Sequence, residues 1–236
     1  MFGFKKKPLV SVLLPVYNGG PFLREAIDSV LSQTLTDFEF IIIDDASTDN
    51  SADIIAEYDD RRINFIRNEH NLGLIGTLNK GLGIARGKYI ARMDQDDICL
   101  PLRLEKQVLY MSRRPQCGVL GTWFHRFGAV NEDCILDPIV LPAGLVCGNK
   151  IGHPTVMLRK SVLDKYKLRY DPDFEACEDY ELWARMLFLT GVENYPQVLL
   201  LHRMHPESMS EVSKEIQLKN TERVRKYIQA RMCDNK

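Results

Sequence analysis

Two predominantly apolar runs constrain the fold of this chain more than any other sequence feature. Residues 10–14 and 38–43 are dominated by Val, Leu, Ile and Phe, without the sustained alternation of a half-exposed strand. Such runs are typical of strands that are buried on both faces of a parallel sheet. Between them, Pro21 suits the first turn of a helix, and Leu23, Ile27 and Val30 recur at helical spacing. The segment therefore predicts a β-α-β unit.

The same alternation continues to about residue 95. Ser51 is expected to cap a second helix, strands are predicted at residues 63–66 and 88–93, and a third helix at 74–85. This order favours a doubly wound parallel sheet, whose ligands bind beyond the carboxyl ends of the strands. The remainder is less regular. It predicts helices at 102–111, 178–189 and 213–232, short strands near Val119 and Val156, and a strand at 198–201.

Composition excludes several classes of protein. A chain of 236 residues predicts one domain, and its net charge of -1 gives no basic field for binding nucleic acid. Six cysteines without a C-x-x-C pair indicate neither a zinc site nor disulfides, and we expect reduced cytosolic thiols. The apolar run after Lys5, Lys6 and Lys7 is too short for a membrane span, and the lysines are expected to form a solvated tail.

Acidic side chains follow two of the predicted strands. Asp44 and Asp45 come after the second strand, and Asp94, Asp96 and Asp97 come after the fourth. Carboxylates that meet at one edge of a sheet repel each other unless a cation lies among them. Short oxygen ligands suit Mg²⁺ or Mn²⁺, which keep open positions for phosphate oxygens. The pattern therefore predicts a metal that binds a diphosphate.

Three further polar positions have two interpretations each. Asp179, at the start of a predicted helix, either caps that helix or acts as a general base for an attacking hydroxyl. His205 is either structural or a third metal ligand, and His153 either lines an acceptor site or shapes a turn. Dinucleotide, P-loop and nucleophile-elbow motifs are absent, which disfavours an oxidoreductase, a P-loop enzyme and a serine hydrolase.

Five motifs in the same order carry a resemblance to a known family. They are VSVLLPVYN at 10–18, IDDASTD at 43–49, NLG at 71–73, ARMDQDD at 91–97 and EDYELW at 178–183. From Val10 to about Ser210, the chain resembles bacterial family 2 glycosyltransferases of the surface-polysaccharide type. The resemblance implies an α/β GT-A fold, which is Rossmann-like with a mostly parallel central sheet flanked by helices. It also implies a single domain over residues 1–236.

The resemblance also implies roles for particular residues. Residues 8–97 would bind the nucleotide-sugar and residues 98–210 the acceptor, with a C-terminal amphipathic helix at 211–236. The donor-binding set is Pro15, Tyr17, Asn18, Asp45, Asn71, Arg92 and Asp94. Asp96 and His205 would hold Mn²⁺ or Mg²⁺, and Asp179 would be the catalytic base. The acceptor-side set is His153, Glu178 and Trp183.

The implied activity is inverting transfer of one sugar from a nucleotide-sugar, with UDP favoured, to a glycan or lipid-linked glycan. The Gln-x-x-Arg-Trp element of processive synthases is missing, so we expect a non-processive enzyme. Such enzymes commonly build O-antigen or capsule at the cytoplasmic membrane face, where the basic C-terminal helix would contact the membrane or pack on its own domain. The alternatives are a sugar-phosphate nucleotidyltransferase and an inactive GT-A scaffold.

Overall fold

A computed structural model describes residues 7–205 and 214–234. The strands are β1 (Val10–Val16), β2 (Phe38–Asp44), β3 (Ile63–Arg67), β4 (Tyr89–Arg92), β5 (Ile98–Cys99), β6 (Cys117–Gly128), β7 (Glu132–Cys134), β8 (Met157–Arg159) and β9 (Gly191–Met204). The helices are α1 (Gly20–Leu31), α2 (Ser51–Ala56), α3 (Gly73–Ile84), α4 (Arg103–Ser112), α5 (Pro142–Val146), α6 (Lys160–Lys165), α7 (Glu178–Leu187) and α8 (Lys214–Asp234). Short 3₁₀ turns cover His153–Thr155 and Pro172–Phe174.

One sheet runs through both halves of the chain. Its strand order is β3-β2-β1-β4-β8-β6-β9-β5, with β7 paired to β6. The predicted parallel unit is confirmed, because β1 pairs in parallel with β2 and β4, and β2 with β3. Strand β8 runs antiparallel between β4 and β6, while β6 and β9 are parallel again. The result is an α/β fold that brings the carboxyl ends of β1, β2 and β4 to one edge.

Both faces of the sheet are buried, as the apolar runs predict. Along β1, Leu13 belongs to the core on one face, whereas Val12 and Leu14 belong to the core on the other. Strand β2 divides in the same way, with Ile41 on the first face and Ile42 on the second. Alternate side chains of a strand point to opposite faces, so an apolar run without alternation requires cover on both.

The second half is more regular than its sequence indicates. The short strand near Val119 belongs to a β6 of 12 residues, and the strand at 198–201 belongs to a β9 of 14 residues. Register shifts between Cys117 and Val119, and again between Thr122 and His125, interrupt their pairing. These irregularities and the partial exposure of both strands break the period-2 pattern by which strands are recognised.

The predicted cap at Ser51 is wrong. Ser51 is the first residue of α2, and its hydroxyl accepts a 2.9 Å hydrogen bond from the backbone N–H of Gly19. Asn50 precedes the helix without a capping side-chain bond. A buried hydroxyl satisfies whichever donor tertiary packing brings to it, and here that donor comes from the loop after β1.

The C-terminal helix packs on its own domain. Helix α8 buries Val224 and Ile228 against the core that also contains α7. Its exposed side carries both charges, with Glu222 and Lys226 3.7 Å apart. Some predicted positions lie outside the described residues. They are Lys5, Lys6, the predicted boundary at residue 210, and Ser213. Within residues 7–205 and 214–234, no helix is both long and apolar enough to cross a bilayer.

Buried polar side chains of α4 join the two halves of the sheet. Arg103, only 1% exposed, donates to the backbone oxygens of Arg92 (2.7 Å) and Val156 (3.3 Å). Gln107, one turn later, donates to the backbone oxygens of Leu120 (3.0 Å) and Thr155 (2.8 Å). Carbonyl oxygens in low dielectric need such donors, and these bonds fix the end of β4 against β8.

Replacing Arg103 with Met should lower the free energy of unfolding by about 2–4 kcal/mol, because the buried Arg92 oxygen loses the Arg103 donor and the Val156 oxygen keeps only its bond from the Arg92 N–H. Urea denaturation measures the change. Arg113→Met, an exposed position after the same helix, is the control. Equal stability of the Arg103 and Arg113 variants would contradict the role of the buried network.

Candidate active site

The loops after β1 and β2 lie side by side at the carboxyl edge of the sheet. Asn18 and Ala46 adopt left-handed backbone conformations (φ 51° and 60°), which turn both loops away from the sheet. The Asn18 N–H donates to Ser47 Oγ (3.0 Å), and Asn18 Oδ1 accepts from the N–H of Thr48 (2.8 Å). Pro15 is buried within β1, whereas Tyr17 is 46% exposed. Of this group, Tyr17 presents an open aromatic surface to a ligand.

Asp45 follows β2, is buried, and has its carboxylate held by hydrogen bonds. Its Oδ1 accepts hydrogen bonds from Asn68 Nδ2 (2.7 Å) and from the N–H of Leu72 (2.8 Å). Lys80 donates to the Asn68 side-chain oxygen, which fixes the orientation of that amide. The exposed Asn71 accepts from the N–H of Gly73 (2.8 Å) and so shapes the start of α3.

The segment after β4 carries three carboxylates. Oxygens of Asp94, Asp96 and Asp97 lie within 4.8 Å of one another. Burial raises the pKa of Asp94 although Arg92 forms an ion pair with it, and the Asp96 charge raises this pKa further. Asp97 is fully buried and accepts from the N–H of Arg203 (2.9 Å), with His202 Nδ1 3.0 Å away. The Asp97 carboxylate is therefore already hydrogen-bonded within the protein.

Asp96 lies next to His205, the other residue predicted to bind the metal. His205 Nε2 lies 2.8 Å from Asp96 Oδ2, so the structure brings these two residues together. Between the two donor-side carboxylates, Gln95 accepts from the Tyr17 N–H (2.8 Å) and donates to the Tyr17 carbonyl (3.0 Å). This pair of bonds ties the acidic segment to the loop after β1.

Asp179 lies at the start of α7. Its Oδ2 accepts from Asn149 Nδ2 (2.7 Å) and its Oδ1 from the N–H of Tyr180 (2.6 Å). Burial raises the pKa of Asp179, while these hydrogen bonds oppose the rise. Burial and repulsion from Asp179 raise the pKa of Glu178 to about 7. Two adjacent carboxyl groups are thus placed where one of them can exchange a proton near neutral pH.

His153 lies behind this pair. Its Nε2 is 3.0 Å from the hydroxyl of Tyr170, and its Nδ1 is 3.7 Å from Glu178 Oε1. Burial, together with the charge of Arg92, lowers its pKa well below the ordinary value, so the ring is neutral. Trp183 is fully buried, with its ring edge-on to His153, and contributes packing beneath the acceptor side. It presents no surface that an acceptor could touch.

Arg92 connects the acidic segment after β4 with the start of α7. Its guanidinium is buried, pairs with Asp94, and also interacts with the charge of Glu178. The positive charge of Arg92 also acts to lower the pKa of Asp179, against the effect of burial. The structure therefore brings the acidic segment after β4 and the start of α7 into one electrostatic field. Their sequence separation gives no indication of this.

Four site residues were missed by sequence reasoning. They are Asn68, Asn149, Tyr170 and His202. Each acts through a side chain that the fold brings from a distant segment, and lone polar residues carry no local periodic signal. Gln95 lies inside a recognised motif, so its position between two aspartates was the available signal.

Comparison with known proteins gives a consistent result. The family described as "Glycosyl transferase family 2" matches residues 11–162, more than half of the chain. Over 186 residues the chain is 32% identical to the Escherichia coli "UDP-Glc:alpha-D-GlcNAc-diphosphoundecaprenol beta-1,3-glucosyltransferase WfgD", covering 76% of this chain and 70% of that protein.

Two solved structures share the fold at low identity. S. aureus TarS in complex with UDP-GlcNAc superposes with a TM-score of 0.78 at 18% identity, covering 91% of this chain and 65% of that one. The mannosyltransferase PcManGT from Pyrobaculum calidifontis, in complex with GDP-Man and Mn²⁺, gives 0.67 at 16% identity, covering 91% and 61%. The chain thus spans less than two thirds of each of these proteins, and the GT-A fold predicted from the sequence is confirmed.

Replacing Glu178 with Gln should stabilise the protein at pH 8 and change little at pH 5. The raised pKa favours the protonated carboxyl in the folded state, and this advantage is lost as pH rises from the ordinary 4.5 through about 7. A neutral amide avoids that loss. Thermal unfolding at both pH values measures the effect, with the exposed Glu69→Gln as control. An equal shift at pH 5 and pH 8 would contradict the ionisation argument.

Proposed function

We propose that this chain, which belongs to glycosyl transferase family 2, is an inverting, metal-dependent and non-processive enzyme. It moves one sugar from a UDP-sugar to an acceptor hydroxyl in the synthesis of a surface polysaccharide. Residues 8–97 bind the donor and residues 98–210 the acceptor. Family membership favours glycosyl transfer over the nucleotidyltransferase alternative.

The observation that carries this proposal is the position of Arg92. One buried guanidinium interacts with Asp94 on the donor side and with Glu178 on the acceptor side. The same guanidinium acts on Asp179, so the carboxylates that would bind a donor and the one that would activate an acceptor lie within range of one buried charge. Direct displacement needs that proximity, because donor and acceptor must react without an intervening enzyme intermediate.

The residues after β4 fit a divalent cation. Carboxylate oxygens within 4.8 Å of one another repel, and the raised pKa of Asp94 reflects burial and that repulsion. Asp96 and His205 would hold Mn²⁺ or Mg²⁺, with Asp97 withdrawn into bonds with the end of β9. When bound, such an ion would stabilise negative charge on a departing diphosphate.

Asp179 is the proposed catalytic base. Bonds from Asn149 and Tyr180 orient its carboxylate and favour its charged form. It takes the proton of the acceptor hydroxyl while the hydroxyl oxygen forms a bond to the anomeric carbon. The bond from that carbon to the diphosphate oxygen breaks, its electron pair leaves with the nucleotide, and the configuration inverts. Neutral His153 and Glu178 line the acceptor side.

The base contact favours UDP over GDP. In the proposed pocket Tyr17 and Asn18 flank the base, with Pro15, Asn71 and Arg92 forming the surrounding wall. Asp45 Oδ1 already accepts two bonds, so Oδ2 is the oxygen left for a ligand. Uracil offers one ring N–H, whereas guanine offers two adjacent donors that would need both oxygens. The names of WfgD and of the TarS complex agree with a UDP-sugar.

A lipid-linked glycan is the proposed acceptor. WfgD is named for a sugar on diphosphoundecaprenol. We place the enzyme in the cytoplasm, with peripheral contact at the inner face of the membrane while it uses that acceptor. Nucleic acid is not a proposed partner.

A panel of UDP-, GDP- and dTDP-sugars with and without Mn²⁺ tests donor use. We expect metal-dependent nucleoside diphosphate release from a UDP-sugar, and loss of this release in Asp96→Asn, because one ligand oxygen becomes an amide. Exposed Asp59→Asn is the control. Release of inorganic diphosphate would instead indicate nucleotidyl transfer. No binding of any nucleotide would favour the inactive scaffold.

Asp179→Asn should lower kcat by about 10²–10⁴-fold while UDP affinity stays close to wild type, because only proton acceptance is removed. Steady-state kinetics with an acceptor and calorimetry with UDP and Mn²⁺ give the two quantities. Exposed Asp173→Asn controls for the loss of a carboxylate near α7. Wild-type kcat in the Asp179 variant would rule out this base.

A further inference from the structure

Arg203 lies at a junction of three segments that are distant in sequence. Its Nε donates to the backbone oxygen of Asp96 (2.9 Å), and its terminal nitrogen donates to Glu25 of α1 (2.6 Å). The guanidinium lies 4.5 Å from the ring centroids of both Phe22 and Phe127. Its side chain is 16% exposed. The group is therefore stacked, ion-paired and hydrogen-bonded at the same time.

The bond to Asp96 is made to the main chain and not to the carboxylate. Anchoring that carbonyl fixes the peptide between Asp96 and Asp97, and so the direction in which the Asp96 side chain leaves the backbone. The Arg203 N–H and His202 hold Asp97 immediately afterwards. The end of β9 thus restrains the acidic segment at two consecutive residues.

The same strand end places the imidazole opposite. His205 follows Arg203 by two residues, lies 2.8 Å from Asp96 Oδ2, and packs its ring 5.1 Å from that of Phe22. Phe22 therefore contacts both the Arg203 guanidinium and the His205 ring. Displacement of Arg203 would disturb both Asp96 and His205.

We propose that Arg203 is a positioning residue that sets the geometry of Asp96 and His205 toward a divalent cation. This role rests on the metal-dependent function proposed above. Arginine suits the position because a planar fork can stack between two rings while donating from Nε and a terminal nitrogen in different directions. Lysine has one nitrogen and cannot keep both bonds. Residues behind metal ligands typically change metal affinity 10–100-fold when altered.

The test measures Mn²⁺ binding directly by electron paramagnetic resonance in the presence of UDP, without turnover. We expect Arg203→Lys and Arg203→Ala to raise the Mn²⁺ dissociation constant by about tenfold or more, with Lys less affected than Ala. Glu25→Gln keeps the bond to Asp96 and should have a smaller effect. Arg24→Lys, whose guanidinium pairs with Glu57 on the surface of α1, should match wild type.

Thermal unfolding of each variant separates metal binding from folding. If Arg203→Ala does not fold, Arg203→Lys keeps the charge and decides the matter. A folded Arg203→Lys protein with wild-type Mn²⁺ affinity would overturn the role of Arg203 alone. Absence of Mn²⁺-dependent UDP binding in the wild-type protein would overturn the proposed function, and with it this role.

Discussion

Repulsion among carboxylates crowded at one edge of the sheet is the constraint on which this site depends. Asp94, Asp96 and Asp97 follow β4, and Glu178 and Asp179 begin α7 close enough to be affected by the same guanidinium. Arg92 supplies buried positive charge between the two groups. Burial, together with the neighbouring carboxylates, still raises the pKa values of Asp94 and Glu178 despite this charge. A divalent cation and a transferable proton are the two chemical means of relieving what remains.

Hydrogen bonds from polar side chains hold this crowded edge in place. Arg103 binds the backbone of Arg92 from below, and Gln95 joins the acidic segment to the loop after β1. Arg203 holds the Asp96 carbonyl from the side of β9. Each of these side chains donates to a carbonyl oxygen, a contact that adds no further negative charge beside the aspartates.

The two halves of the chain contribute different kinds of order. The first supplies strand ends that are buried on both faces, and Asp45 and Asp94 follow them closely. The second supplies single polar residues from turns and strand tails, such as Asn149 and His202.

The sequence by itself determined the parallel unit β1 to β4 and the edge at which Asp45, Asp94 and Asp96 gather. Apolar runs, helical periodicity and the rule for parallel strands are local signals, and they are sufficient for this half. Tertiary structure alone decided that Asn149 binds Asp179, that His202 binds Asp97, and that Trp183 is buried. His202 lies in β9, whose pairing with β6 is interrupted by register shifts, and a bulge removes the periodic pattern from which such packing could have been predicted.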